Sequence, residues 1–154
     1  MSCDIAAAAF LFLAASGGAP TPAHAPAAAT ISVAKEPLYA DIVGRAGRLK
    51  GEVEGLRKLG KGQDAIVLPG FEAFSAEIAS LADLDMKGHL DLAQRGTDGD
   101  LKCILKGISM DLGKRIAELK AAKSWRDQDG ALRDMAYLLN DNVEVITAPP
   151  APPV

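Results

Sequence analysis

Two segments of helical periodicity meet at a short break in the stretch Leu84–Cys103, LDMKGHLDLAQRGTDGDLKC. The break is GTDGD, whose glycines interrupt the helical pattern and whose Thr97 and Asp100 have the spacing of a capping box. Because a short connection makes the flanking helices antiparallel neighbours, this stretch predicts a helical hairpin. The stretch also contains His89 and Cys103, and both residue types are rare in this chain. These two side chains could bind one metal ion or haem together, or they could belong to two separate features.

Four segments of the chain show apolar residues at the three- and four-residue spacing of amphipathic helices. The first segment starts at Pro37, a residue suited to the first turn of a helix, and runs to about Leu59. The second starts at Pro69, and the third follows the GTDGD break. The fourth begins after Ser124, which forms another capping-box pattern with Asp127.

The predicted fold is an all-α, up-down antiparallel four-helix bundle over residues 35–147. Each helix would turn one apolar face inward, and these faces include Leu38 in the first helix and Val143 in the fourth. The net charge alternates in sign from helix to helix, which favours antiparallel neighbours of opposite charge. That support is small, because an exposed ion pair contributes only about 0.2–1 kcal/mol.

The two ends of the chain differ in composition from the helical region. Residues 1–29 carry an apolar run, Ile5–Ala15, followed by Ala/Pro-rich sequence, which predicts a secretory signal peptide and a short linker. A disordered Ala/Pro tail is the alternative. The run is shorter than the roughly 20 residues that span a bilayer, so we expect no stable membrane span in the mature chain. Residues 148–154 predict a disordered Pro-rich tail. We therefore expect a periplasmic or otherwise secreted protein.

The composition and the motifs argue against several function classes. A formal net charge of −3 gives no basic excess for nucleic acid, so no nucleic-acid partner is expected. The sequence has no H-E-x-x-H, C-x-x-C, G-x-S-x-G or Gly-rich phosphate-loop pattern, and no C-x-x-C-H for covalent haem. We predict that the protein is not an enzyme and carries no cofactor.

The cysteines bear on the compartment and on cross-linking. The chain has two, Cys3 and Cys103, and Cys3 would leave with the signal peptide. Cys103 would then be a lone thiol, with no intrachain disulfide in the mature protein. In an oxidising compartment such a thiol is buried, paired with another molecule or reactive.

Four polar residues lie on or beside the apolar faces of the central hairpin. Asp85 and His89 continue the apolar face of the second helix, and Asp111 and Arg115 interrupt that of the third. An antiparallel hairpin would bring the four together. They would form either a charge-paired structural network or a small-ligand or ion site, in which Asp85 and His89 are the candidate metal ligands.

Small residues form a second feature, on faces turned away from the predicted core. The candidate interface residues are Gly44, Gly47, Gly51 and Gly55 in the first helix and Cys103, Gly107 and Met110 in the third. One interpretation is a surface where another helix or a second subunit approaches closely. The other is composition alone, because the chain is rich in alanine and glycine. Glycine costs about 1 kcal/mol against alanine inside a helix, so the first helix should be intrinsically weak.

These observations lead to one expected function and one alternative. We expect an exported, non-enzymatic helical bundle that acts by binding an unknown protein partner or by forming a homodimer. The alternative is a small-ligand or metal-ion binding protein that uses the cluster around Asp85 and His89.

Overall fold

The computed structural model describes residues 33–60, 62–96 and 99–148. Three sequence-based predictions therefore lie outside the described residues: the signal peptide and linker over 1–29, the Pro-rich tail beyond Ala148, and the capping role of Thr97.

Four long helices make up the described part of the chain. A 3-10 turn at Val33–Lys35 is followed by α1 (Pro37–Arg57), α2 (Phe71–Gln94), α3 (Gly99–Ala121) and α4 (Trp125–Thr147). No strand occurs within the described ranges. The predicted all-α four-helix bundle is confirmed.

The helices form a ring of antiparallel neighbours. Helix α1 packs on α4, α4 on α3 and α3 on α2, and a looser α1–α2 seam closes the ring. Partners on α4 run backwards as α1 advances: Lys50 Nζ donates to Asn140 Oδ1 at 2.8 Å, and Arg57 Nε donates to Asp129 Oδ1 at 2.8 Å. Consequently α1 and α3 are diagonal across the bundle, and so are α2 and α4.

The core follows an alternation of three- and four-residue steps along α1, α2 and α4, and α3 keeps it except for one seven-residue step from Leu112 to Leu119. The buried residues at this spacing are Tyr39, Ile42, Ala46, Leu49, Val53 and Leu56 in α1; Phe74, Ile78, Leu81, Asp85, Gly88 and Leu92 in α2; Leu105, Ile108, Leu112 and Leu119 in α3; and Gln128, Leu132, Met135, Leu139, Asn142 and Ile146 in α4. This is the spacing of coiled-coil seams, in which side chains of one helix fill holes between those of the next.

Leu38 and Val143 are among the residues that the sequence assigns to the core but that lie at its edge. Leu38 and Val143 are only half-buried, and their neighbours Tyr39 and Asn142 are completely buried instead. Adjacent residues on a helix are about 100° apart, so either of the two fits a broad apolar face. Choosing the more hydrophobic residue gave the wrong member of each pair.

The link between α1 and α2 is held against the start of α4. The buried Gln128 side chain donates from Nε2 to Ile66 O and accepts from Ile66 N, each at 2.9 Å. The backbone N–H of Trp125 donates to Gln63 O at 2.9 Å. The amide of Gln128 thus satisfies both backbone groups of Ile66, as a paired strand would.

The helix starts differ in how they are capped. Ser124 accepts a hydrogen bond from Asp127 N at 3.2 Å and donates to Asp127 Oδ2 at 2.7 Å, so the predicted cap of α4 is confirmed. Helix α2 begins at Phe71 rather than at Pro69, because Gly70 adopts a left-handed conformation with φ 65°. Only glycine enters that region without a steric cost.

The charge pattern also appears in the packing. The ion pairs that join two helices across α1–α2, α1–α4 and α3–α4 are Arg48–Glu77, Arg57–Asp129 and Arg115–Asp134. Each pairs a base on α1 or α3 with an acid on α2 or α4, as the alternating charges predicted.

Among the described helices, none combines the length and the apolarity needed to cross a bilayer. Leu59, Val67, Leu90, Met110 and Tyr137 are the large hydrophobic residues exposed in this part of the chain. They are spread over the α1–α2 link and three helices.

We expect Gly60→Ala to lower the free energy of unfolding by about 1–3 kcal/mol, the usual cost of overpacking. A Cβ at Gly60 would overlap the indole ring of Trp125, which is rigid and packs beside the core. The measurement is urea denaturation followed by circular dichroism.

Gly62→Ala is the matched control, because a Cβ at that loop position meets no atom within 4 Å. Equal effects of the two substitutions would show that Trp125 does not pack over Gly60.

Candidate functional site

A buried polar pair crosses the centre of the bundle. Asp85 lies on the core face of α2 and Asn142 on that of α4, and both are 0% exposed. Asn142 Nδ2 donates to Asp85 Oδ2 at 2.9 Å. Because α2 and α4 are diagonal, this bond links two helices that are not packed side by side.

Each member of the pair keeps one oxygen without a partner. Asp85 Oδ1 and Asn142 Oδ1 are buried and accept no hydrogen bond. Leaving a buried polar atom unsatisfied costs about 1–3 kcal/mol. The pair is therefore the place where the core departs most from a purely apolar seam.

Burial also changes the acidity of Asp85. Desolvation raises the pKa of its carboxyl from 3.8 to about 7, because the charged form loses the water that stabilises it. The hydrogen bond from Asn142 acts in the opposite direction and lowers this pKa by a smaller amount. Asp85 is thus poised to change its charge near neutral pH.

His89 turns to a different partner from Asp85. Its ring is half-buried, and Nδ1 lies 2.7 Å from the backbone oxygen of Lys102 on α3. Because a carbonyl oxygen only accepts, the hydrogen must sit on Nδ1, which leaves Nε2 as the acceptor of the neutral ring. His89 therefore ties α2 to α3 near their connecting turn.

The other two residues of the predicted cluster face α4 or solvent. Arg115 forms salt bridges with Glu118 at 2.7 Å and Asp134 at 3.1 Å, with 16% of its side chain exposed. Asp111 is exposed and lines a shallow groove of about 270 Å³ between α3 and α4.

The predicted meeting of the four residues does not occur. No hydrogen bond or salt bridge within the described ranges joins any two of Asp85, His89, Asp111 and Arg115. Periodicity correctly indicated that Asp85 is buried, but Arg115 lies on the flank of α3 next to α4, not next to α2. A helix at the corner of a bundle has two neighbours, and spacing within one helix does not choose between them.

Metal-ligating side chains are dispersed in the described residues. Across residues 33–60, 62–96 and 99–148, no group of three His, Cys, Asp or Glu side chains converges on a point that could hold an ion.

Asn142, which is half of the central pair, was not predicted from the sequence. The signal was present in the spacing, since Met135, Leu139, Asn142 and Ile146 follow one another at four-, three- and four-residue steps. A polar residue on that series had to be buried. The second buried polar residue of α4, Gln128, lies on the same series and was missed for the same reason.

A further polar network joins the start of α1 to the end of α2. Tyr39 Oη donates to Asp91 Oδ2 at 2.8 Å and lies 3.2 Å from Gly88 O. Arg95 donates to both carboxylate oxygens of Glu36, at 3.0 and 2.7 Å. Burial, with the hydrogen bond to Asp91, raises the pKa of Tyr39, whereas Arg95 lowers the pKa of Glu36. This network joins α1 and α2 across their looser seam.

The predicted interface residues of α1 form a bare outward face, hereafter the glycine face: Gly44, Gly47, Gly51 and Gly55. All four are exposed, and a Cβ built at any of them meets nothing within 4 Å. None has a positive φ, because the positive-φ glycines of the described residues are Gly70 and Gly96.

The predicted interface residues of α3 divide into two kinds. Gly107 is exposed without a neighbour within 4 Å of a built Cβ, and Met110 is 63% exposed. Cys103 is half-buried and disulfide-bonded, so the expected lone thiol is wrong. That expectation assumed removal of Cys3, which lies outside the described residues.

Comparison with protein-family models, with curated proteins and with solved structures found no match to this chain. Two features of its own geometry then stand out: the buried pair of Asp85 and Asn142, and the glycine face of α1.

We expect Asp85→Leu and Asn142→Leu each to lower the free energy of unfolding by about 1–3 kcal/mol, because each strands the other polar group in the core. The double variant should recover most of the loss, since replacing both members of a buried polar pair removes the unsatisfied group. Urea denaturation of the four proteins gives the coupling energy of a double-mutant cycle.

Asp83→Leu is the control, because Asp83 is exposed on α2 and should change stability by no more than about 0.5 kcal/mol. Additive losses in the cycle would mean that Asp85 and Asn142 do not contact each other.

Proposed function

We propose that this is an exported, non-enzymatic helical-bundle protein that binds a helix of another protein chain through the glycine face of α1. A second copy of the chain, forming a homodimer, is one form of this contact. The observation that carries the proposal is the glycine face itself, which is exposed and has no packing role within the described residues.

Glycine is an unfavourable residue at these four helical positions. Each interior helical glycine costs about 1 kcal/mol against alanine, so the four together weaken α1 considerably. Neither a left-handed backbone nor a close neighbour requires glycine at these sites. An approaching helix would supply a reason, because glycine allows two backbones to come close together.

The charged residues beside the glycine face indicate what kind of partner helix would fit. Arg48 borders one side of the face and Glu54 the other, and both are exposed. Arg48 is already bonded to Glu77 at 2.6 Å. A fitting partner is a helix with small residues along its centre and charged residues of both signs at its flanks.

The exposed residues on α3 belong to a separate surface. Because α1 and α3 are diagonal in the bundle, their outward faces point in opposite directions. Gly107 and Met110 therefore do not extend the glycine face, and one flat partner would not cover both surfaces. The proposal rests on α1 alone.

The export part of the proposal rests on composition. The apolar run Ile5–Ala15 and the Ala/Pro-rich residues after it support a signal peptide and a periplasmic or secreted destination. The alternative function, a small-ligand or metal-ion site at Asp85 and His89, has no observation in its favour, because these residues bond to Asn142 and to Lys102 O respectively.

We expect the double variant Gly47→Gln/Gly51→Gln to weaken association at least about tenfold, which corresponds to about 1.4 kcal/mol, because long side chains would block a close helix approach. Self-association is measured by sedimentation velocity over a range of concentrations. Binding to another protein is measured by photo-crosslinking from a reactive residue placed at position 44, in cells that express the chain.

Gly113→Gln is the matched control, since Gly113 is also exposed on a helix and a Cβ there meets nothing within 4 Å. Gly47→Ala/Gly51→Ala should raise the free energy of unfolding by about 1 kcal/mol per site and weaken association less than the glutamine variant does, because a methyl group obstructs a close helix approach less than a long side chain. If the glutamine variant associates and cross-links as the wild type does, or if no specific cross-link and no dimer forms, the glycine face is not a binding surface.

A further inference from the structure

The central pair, Asp85 and Asn142, uses only part of its hydrogen-bonding capacity. A carboxylate only accepts hydrogen bonds, whereas the carboxamide of Asn142 has donors on Nδ2 and an acceptor at Oδ1. One bond joins them, from Asn142 Nδ2 to Asp85 Oδ2. The two oxygens left over, Asp85 Oδ1 and Asn142 Oδ1, are buried acceptors on the same two groups, and both lack a donor.

One added proton would let these two oxygens form a hydrogen bond with each other. If Asp85 Oδ1 takes up a proton from solvent, it becomes a donor, and Asn142 Oδ1 is the unsatisfied acceptor of the group that Asp85 already contacts. A carboxylic acid and a carboxamide then bond reciprocally, and no charge is buried. Charged groups without a partner are the most costly ones to place in a core, which favours the neutral form.

We propose that Asp85 and Asn142 form a proton-binding site at the centre of the bundle. Asp85 is a carboxylic acid in the folded chain below neutral pH, and its Oδ1–H donates to Asn142 Oδ1. Release of this proton as the pH rises leaves a buried carboxylate and loosens the connection between α2 and α4.

No salt bridge within the described residues includes Asp85, so no opposite charge is bonded to it in place of the proton. On its own helix, His89 is one turn away and bonds to Lys102 O. On α1 the titratable group of this region is Tyr39, which bonds to Asp91. On α3 the titratable group of this region is the buried Lys102. The neighbour on α4 is Asn142, which is neutral. The raised pKa of Asp85 has two causes, burial and the opposing Asn142 hydrogen bond, with no contribution from a charged neighbour.

The direction of the pH effect follows from the raised pKa. An unfolded Asp85 loses its proton near its ordinary pKa of 3.8, whereas the folded protein holds the proton until about pH 7. Between these values the folded state binds more protons than the unfolded state, so stability falls as the pH rises. The contribution of Asp85 to the free energy of unfolding is complete below pH 3.8 and is lost by about pH 8. Glu36 acts in the opposite direction, because Arg95 lowers its pKa.

The test compares the full chain with Asp85→Asn, which keeps the shape of the side chain but does not titrate. Urea unfolding is measured from pH 4 to pH 8. Relative to Asp85→Asn, the wild-type equilibrium constant for unfolding should rise on the order of a thousandfold over this range. The exposed Asp83→Asn is the control and should follow the wild type. Dividing the unfolding constant of the wild type by that of Asp85→Asn cancels the pH dependence that Glu36 and the other carboxyl groups contribute to both proteins.

A direct reading comes from the folded wild-type protein labelled with ¹³C at aspartate carboxyl carbons. One carboxyl resonance should titrate near pH 7, be absent from Asp85→Asn and remain in Asp83→Asn.

The NMR titration keeps the proposal testable even if Asp85→Asn fails to fold. An Asp85 resonance that titrates in the ordinary carboxyl range, or unfolding curves of wild type and Asp85→Asn that stay parallel from pH 4 to pH 8, overturns it. These results concern the core between α2 and α4. They are independent of whether the glycine face of α1 binds a partner.

Discussion

The whole structure depends on burying four apolar seams against one another at the same time. Helix α1 is weakly stabilised by its own sequence, because it carries four glycines on its outer face. What holds each helix is the series of buried residues at alternating three- and four-residue steps, such as Ile42, Ala46 and Leu49. Antiparallel packing in a ring satisfies all four seams, because each helix then faces two neighbours and the common centre.

Polar contacts at the edges specify how the seams are assembled. Gln128 fixes the α1–α2 link to the start of α4 by pairing with both backbone groups of Ile66. At the opposite end of α1, Tyr39 reaches α2 through Asp91. These bonds add little to the total burial of apolar surface. They make one arrangement better than others in which the same apolar faces would also be covered.

The exceptions to the apolar pattern carry the functional interest of the protein. Asp85 and Asn142 occupy seam positions where an aliphatic residue would cost less free energy of folding. The four glycines of the glycine face occupy helical positions where alanine would cost less. Local sequence conflicts of this kind concentrate at sites where a protein does something besides folding. The pair of Asp85 and Asn142 in the core binds a proton, whereas the glycine face on the surface leaves room for another helix. The two features lie in different parts of the bundle.

The number of helices, the cap at Ser124, the antiparallel order and the burial of Asp85 all follow from the amino-acid sequence, because periodicity and capping act within about one turn of a helix. The sequence also placed the glycine face opposite the core. The partners of the polar residues were decided only by the tertiary structure. Asp85 bonds to Asn142, 57 positions away, and Arg115 bonds to Asp134 rather than approaching Asp85. Spacing along one helix gives the direction of a side chain to within a broad face, whereas its partner depends on which helix lies across that face and at what height.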